Sequence, residues 1–312
     1  MKHTRKQRLR HSDRSLILLS LPTLLWYLCF CYLPLFGIVM AFKKYRLSPG
    51  KSFLYSLFVG SSWVGTDNFR YLFMNPQIGQ IIRNTVLYNL VFLVLGLVIP
   101  VALAIALSYV RSERLRSAAQ TLSMLPHFLS WMIVSYFVYA FLATDKGLIN
   151  SLLQALGKGP VSWYQEPGAW PWLLTLIHEW KAFGYSMVLY YSYILGIDPA
   201  LYESAAIDGA RPLQMIRYIT LPQLKGIIIM MGLLSLGGIF NSDFGLFYQV
   251  PRDSGALVKA TQTVDVYIYK ALMEQTNYGF SAAASLLQNG LGCLLLLLAN
   301  LAVRRIDPEA GL

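Results

Sequence analysis

The sequence predicts an all-α membrane protein with six transmembrane helices. Three observations carry that prediction. Of the 312 residues, 56% are hydrophobic and only 13% are charged. The mean hydropathy is +0.49. The apolar residues also fall into long blocks free of charge. A soluble domain carries about 25% charged residues, so this composition leaves too little polar surface to cover a water-soluble body.

A helix needs about 20 apolar residues to cross a bilayer. Charge-free stretches at 15–42, 84–110, 117–144 and 275–303 are each long enough to span. Two shorter ones, 182–197 and 226–242, become spans at about 170–196 and 224–247 once a few outer charges are admitted. The first span follows a basic segment, residues 1–14. Its apolar run is too long for a signal peptide and shows no small-residue cleavage site, so it reads as a retained anchor. Pro22, Pro34 and Pro100 lie inside spans, where neighbouring helices can satisfy the freed carbonyls.

Loop charge orients the bundle, because cytoplasmic loops carry the excess of Lys and Arg. With both termini inside, fourteen of these residues fall on cytoplasmic segments and eleven on outer ones. The extracytoplasmic loop 43–83 runs against the bias with Lys43, Lys44, Arg46 and Lys51, but long loops count for less in this rule. The expected organisation is therefore a cytoplasmic N-terminus (1–14), a first helix (15–42) and an outer loop (43–83). A five-helix core (84–303) and a cytoplasmic tail (304–312) follow. The outer loop around Gly157, Gly159, Pro160, Trp163, Tyr164 and Pro167 reads as an ordered cap.

The formal charge of +11 invites nucleic acid, since basic chains attract phosphate. The basic residues instead cluster beside the apolar blocks, and no nucleic-acid module accompanies them. Cys29, Cys31 and Cys293 all sit in apolar runs with no metal-ligand spacing, so they read as small helix residues and not as a metal site.

Between the fourth and fifth spans, residues 198–222 form a cytoplasmic loop too polar to span and too regular to be a loose connector. Asp198 is a good N-cap, and Pro199 suits the first helical position. Gly209 is placed to end that helix in the left-handed region. Arg211 and Pro212 then start a second short helix with Leu213, Ile216 and Ile219 on one face, and Leu221 and Pro222 lead into the fifth span.

Glu203, Ser204, Ala205, Ile207, Asp208, Gly209 and Ala210, followed by Ile219, Leu221 and Pro222, resemble the EAA loop of ABC importer permeases. Ser204 stands where the family usually has Ala, and the backbone logic survives that change. Further stretches extend the resemblance over most of the chain: Tyr32 to Phe42; Trp63, Gly65, Asp67, Asn68 and Phe69; Trp180, Lys181, Phe183, Gly184 and Tyr185; Asn241, Asp243 and Phe244. They resemble the branch that carries complex or oligomeric carbohydrates, and the basic Lys181 hints at an acidic sugar. The resemblance implies a type I ABC importer permease fold with N- and C-termini cytoplasmic. It implies a coupling helix built from Glu203, Ser204, Ala205, Asp208, Gly209 and Ala210, with Leu221 and Pro222 closing the motif. It also implies partners: a second homologous permease making a heterodimer, two cytoplasmic ATPases and an extracytoplasmic solute-binding protein. No cofactor is expected on this chain, because it has no phosphate-binding P-loop; ATP and magnesium belong to the partner ATPase. Localisation in the bacterial cytoplasmic membrane follows.

Charge inside a span costs about 2.5–3.5 kcal/mol at the centre, so it usually faces the bundle interior. Glu179 and Lys181 stand near the middle of the fourth span, two positions apart and therefore on different faces. Each could form an interhelical ion pair or line a substrate path. Trp180, Tyr185 and Tyr190 join the path candidates because they accompany that charge, although Trp and Tyr also populate interfacial belts. Asn241 and Asp243, near the outer end of the fifth span, read either as an interfacial cap or as a polar rim for sugar hydroxyls. Gly232, Gly237 and Gly238, with Ala282, Ala283 and Ala284, permit close helix approach.

Two other classes compete. A secondary transporter driven by an ion gradient would need paired repeats and a mid-membrane ion site, and only the fourth-span charges favour it. An intramembrane enzyme would need a nucleophile or metal constellation, which histidines 3, 11, 127 and 178 do not supply.

Overall fold

The computed structural model describes the backbone of residues 11–306 and the side chains of residues 17–305. Most of the expected basic N-terminus and cytoplasmic tail lies outside the described residues. Apart from one two-residue strand pair, every regular element among the described residues is helical.

Two compact units emerge. The first comprises Met1–Leu72 with Thr276–Leu286. Its α1 (His11–Tyr27) continues through a π turn (Leu28–Tyr32) and a 3-10 stretch (Leu33–Phe42), so the backbone is helical from 11 to 42. Pro22 and Pro34 lie within this run. β1 (Lys43–Lys44) then pairs antiparallel with β2 (Ser62–Trp63), with α2 (Phe53–Phe58) between them. Lys43 is buried, and its ammonium donates to the carbonyls of Leu57 and Phe58 at 2.8 and 3.2 Å. At the start of α3 (Asp67–Met74), Asn68 donates to the carbonyls of Ala41 and Lys43 at 2.8 and 3.0 Å. One basic residue of the loop expected outside is thus a structural staple.

The second unit, Phe73–Gln275 with Leu287–Leu312, is organised around two long helices. α4 (Ile78–Ser108) is 31 residues, and α8 (Trp170–Leu195) is 26. Tyr88 and Phe92 in the first half of α4 share a core with Trp170, Leu174 and Ile177 in the first half of α8. Val101, Ala104 and Ile105 near the end of α4 share another with Tyr190, Tyr191 and Ile194 near the end of α8. The two helices therefore run in the same direction. The close approach of α5 (Glu113–Met124) to α8 depends on Gly184, where an added Cβ would stand 1.8 Å from the carbonyl oxygen of Ser123.

Among the described residues, four helical runs are long and apolar enough to cross a membrane: Ile17–Phe42, Ile78–Ser108, Pro212–Gly237 and Tyr278–Arg305. The stretch 117–144, expected as one span, is instead broken. α5 passes through a 3-10 turn (Leu125–Phe128) into α6 (Trp131–Leu142), and the two parts bend by 97°. Pro126 and the N-cap hydroxyl of Ser130, which accepts from the Ile133 amide at 3.3 Å, explain why the second half restarts there. α8 is long enough to span, but His178, Glu179 and Lys181 leave it less apolar than the other four. α7 (Leu148–Ala155) follows α6, and Asn150 ties the segment after it by donating to the Val161 carbonyl and accepting from the Val161 amide.

After α8 come α9 (Pro199–Ile207), α10 (Pro212–Met215) and α11 (Leu221–Gly237). α10 joins α11 through a π turn at Ile216–Thr220. The second short helix expected at 212 is therefore the opening of the fifth helix itself. That helix also stops at Gly237, ten residues short of the expected end. α12 (Val258–Thr261), α13 (Val264–Met273) and α14 (Tyr278–Ile306) complete the chain. The expected close approach of small residues occurs at Gly237, whose carbonyl oxygen would lie 2.5 Å from a Cβ added at Gly292.

Candidate coupling loop and translocation path

α9 is built by local backbone chemistry. The Asp198 carboxylate accepts from the Ala200 amide at 3.0 Å, and Pro199 occupies the first helical position. At the other end, the Gly209 amide donates to the Ala206 carbonyl at 3.1 Å and the Ala210 amide to the Ala205 carbonyl at 2.9 Å. With Gly209 at φ +77°, this is a Schellman ending. Arg211 then starts α10, its amide donating to the Gln214 side chain at 2.7 Å. Inward anchoring comes from the Tyr202 hydroxyl, 2.9 Å from the Thr220 hydroxyl.

The outer surface of this hairpin is open. Glu203, Ser204, Asp208, Gly209 and Pro222 are exposed, Leu221 is exposed at its edge, and Ala205 and Ala210 are half-buried. Ile207 is 86% exposed and Leu213 is 78% exposed. Both sit on the same hairpin as the exposed carboxylates of Glu203 and Asp208.

The path candidates separate into two groups. Tyr185 and Tyr190 line a cavity of about 310 Å³ between α4, α8 and α11, together with Phe92, His178, Ser186 and Ser235. Phe92 stacks on the His178 ring at 3.8 Å. Glu179, Trp180, Lys181, Asn241 and Asp243 do not line that cavity.

Lys181 reaches across to the broken span. Its ammonium donates to the His127 carbonyl at 2.8 Å and lies 5.1 Å from the Trp131 ring centroid. The Trp131 indole N–H in turn donates to Asp243 Oδ2 at 2.6 Å, while Asp243 Oδ1 accepts from the Gly245 amide at 3.0 Å. Asp243 thus lies past the end of α11, two residues before a π turn (Gly245–Gln249) whose first amide it holds. Glu179 is only 6% exposed; Oε1 is 3.3 Å from His178 Nδ1, and Oε2 has no hydrogen-bond partner. Neither Glu179 nor Lys181 makes an interhelical ion pair among the described residues. Trp180 is half-exposed on α8.

Sequence reasoning missed several participants. Asn89 shares its amide hydrogens among the carbonyls of Thr85, Ile239 and Asn241, at 2.9, 3.0 and 2.8 Å. This is where Asn241 acts, through its carbonyl. Asp265 Oδ2 accepts from the Ser242 amide and hydroxyl at 2.6 and 2.8 Å and from Gln288 at 3.0 Å. Together these residues hold the segment after α11. A polar residue within a long apolar stretch, such as Asn89 or Gln288, was the available signal.

Long apolar helices joined by a capped polar hairpin define a multi-pass membrane protein. Residues 99–308 match the family described as binding-protein-dependent transport system inner membrane component, and the chain belongs to that family. It is thus the permease component of an ABC importer, a multi-pass protein of the cytoplasmic membrane. The chain is 32% identical to the protein LplB of Bacillus subtilis strain 168, over 95% of this chain and 91% of that one. It is 31% identical to the polygalacturonan/rhamnogalacturonan transport system permease protein YteP of the same organism, over 95% and 90%. Among solved structures, it is similar to a chain of a bacterial ABC transporter involved in the import of the acidic polysaccharide alginate. That match has a TM-score of 0.84 and 31% identity, and covers 95% of this chain and 97% of the other. The reading as an ion-gradient transporter finds no support in these likenesses.

Proposed function

We propose that this chain is the transmembrane permease of an importer for an oligosaccharide and that it works by alternating access driven by separate ATPases. The observation that carries the reading is the hairpin of α9 and α10: a capped, glycine-terminated helix with Ile207 exposed at its end, followed by Leu213 exposed in α10. α9 docks in a cleft of a cytoplasmic ATPase, through Glu203, Ser204, Ala205, Asp208, Gly209 and Ala210. ATP-driven closure of two ATPases moves the paired loops, and the connected α10–α11 rod carries that motion into the membrane. A loop that touches the ATPase differently in its two states is what such a population shift requires.

Six crossings with both termini cytoplasmic fit the geometry. α4 and α8 run in the same direction, which supports a reading in which the bent α5–α6 segment between them returns the chain across the membrane. The Tyr109 hydroxyl, just past α4, lies 3.4 Å from the Pro212 carbonyl. This puts the end of α4 beside the coupling loop. A second homologous permease completes the pathway, and an extracytoplasmic binding protein delivers the sugar. This chain performs no catalysis; ATP and magnesium act on the ATPase.

The sugar class is supported by relatives named for polygalacturonan and rhamnogalacturonan transport and by the alginate importer, which has also been solved with a periplasmic protein bound to an alginate pentasaccharide. The cavity edged by Tyr185, Tyr190, Ser186 and Ser235 offers aromatic faces and hydroxyls to a saccharide. Mass spectrometry of what co-purifies with the chain from native membranes tests the assignment. Recovery of a P-loop ATPase and a second permease is expected; the chain alone, with ATP-independent uptake after reconstitution, would overturn it.

A further inference from the structure

A second cavity lies at the opposite end of α8 from α9. Its volume is about 590 Å³, within the range of about 300–1,000 Å³ typical of small-ligand pockets. Tyr139, at the end of α6, and Tyr164, in the turn before α8, supply aromatic walls with ring centroids 5.8 Å apart. The Arg252 guanidinium lies 4.1 Å from the centroid of the Tyr139 ring. Thr144 and Ser254 add hydroxyls to the lining.

The turn that carries Arg252 is unusual. Arg252 and Asp253 are consecutive non-glycine residues at φ 56° and 50°, a conformation disfavoured for side chains with a Cβ. It is held by an ion pair between Asp253 and Lys270, by the Asp253 amide donating to the Tyr248 carbonyl at 3.3 Å, and by the Ser254 hydroxyl donating to the Tyr164 carbonyl at 2.8 Å. Asp253 is therefore occupied by Lys270. Asp145 and Lys146 also line the cavity, and Arg252 makes no ion pair with Asp145 among the described residues. A guanidinium stacked on an aromatic ring keeps its N–H edge free for a carboxylate, which it can grip through two parallel bonds. Burial pushes the Tyr164 phenol up to about 12, with Arg252 pulling the other way. At neutral pH this wall therefore presents no phenolate to repel an anion.

We propose that this cavity receives one uronate unit of an oligosaccharide on its way into the transporter. Arg252 pairs with the sugar carboxylate, Tyr139 and Tyr164 pack its ring, and Thr144 and Ser254 bond its hydroxyls. The proposal rests on the importer reading, which makes this end of α8 extracytoplasmic. A concave pocket with two aromatic walls fits a sugar ring; the acidic surface of a docking protein would require only the cations.

The test uses the complex that co-purifies with this chain, placed in nanodiscs. Binding of trigalacturonate and of its fully methyl-esterified form is read by saturation-transfer NMR. The acid is expected to bind at least tenfold more tightly than the ester, Arg252→Gln to erase that preference, and Arg252→Lys to restore part of it. Equal affinity of the two forms for the unaltered complex, or an acid preference that survives Arg252→Gln, would overturn the site. If Arg252→Gln fails to assemble, Tyr139→Leu decides instead: it should weaken both forms at least fivefold, and undiminished binding would overturn the site. ATP hydrolysis in the same sample reports separately on the importer reading. Turnover without acid preference sinks this site alone, whereas a complex without an ATPase sinks that reading.

Discussion

The amide of Ala210 donates to the carbonyl of Ala205 at 2.9 Å, and Gly209 makes the bond possible by turning through φ +77°. This link reverses the chain at the end of α9 and aims Arg211 and Pro212 straight into the rod that becomes α11. The α9–α10 hairpin and the fifth helix are thus one continuous piece of chain joined at one glycine.

Gly209→Val should break that piece. A left-handed non-glycine residue costs about 1–2 kcal/mol, and a β-branched side chain is a genuine outlier there. Uptake by cells expressing the variant should fall at least tenfold while membrane levels of the chain persist. Gly209→Asn, which tolerates the left-handed region, should lose much less. Wild-type uptake by a fully expressed Val variant would refute the hinge.

Gly184 supports a different contact. Its missing Cβ leaves room for the Ser123 carbonyl, which an alanine would overlap at 1.8 Å. Overpacking of this kind typically costs about 1–3 kcal/mol, so Gly184→Ala should lower the thermal unfolding temperature of the purified complex. Gly96 in α4 has nothing within 4 Å of an added Cβ, and Gly96→Ala should be neutral or stabilise by up to about 1 kcal/mol. Scanning fluorimetry on the pair separates the two cases.

Lys181 acts on the elbow of the broken span through the His127 carbonyl and the Trp131 ring. Lys181→Met should therefore lower the maximal uptake rate, with little change in the sugar concentration needed for half-saturation. Lys181→Arg should retain more of the rate, because it keeps the charge and the donor. An uptake assay in which KM rises and the maximal rate holds would instead put Lys181 on the sugar.

Asp243 serves two donors, the Gly245 amide and the Trp131 indole. Asp243→Ala removes both bonds, and a hydrogen bond of this kind contributes about 0.5–1.5 kcal/mol net. Asp243→Asn keeps an acceptor for one of them and should destabilise less. Thermal unfolding ranks the variants; an alanine variant as stable as the parent would show that these two bonds carry no weight.

α9 was legible because its code is local: Asp198, Pro199 and Gly209 each specify backbone geometry within a few residues. The apolar spans were legible because burial in lipid depends on composition. The 97° break was not, because hydropathy measures apolar content and not direction, although Pro126 and Ser130 marked the place. The end of α11 escaped for a related reason. Residues 238–247 remain fairly apolar, while Asn89, Asp265 and Gln288, distant in sequence, hold that segment out of the helix. The cavity beside Tyr185 and Tyr190 draws residues from three helices, and no spacing in one helix announces the other two. The structural part of Lys43 was not legible, because nothing local shows that its ammonium finds two carbonyls fourteen and fifteen residues away.

The most direct test of the coupling assignment is a photo-cross-link from position 207. Ile207 is replaced by a photoreactive phenylalanine derivative, the intact complex is irradiated in membranes, and adducts are identified by mass spectrometry. The account predicts an adduct with a P-loop ATPase whose yield changes when ATP is bound. An intact, transporting complex that yields no ATPase adduct from this position would contradict it.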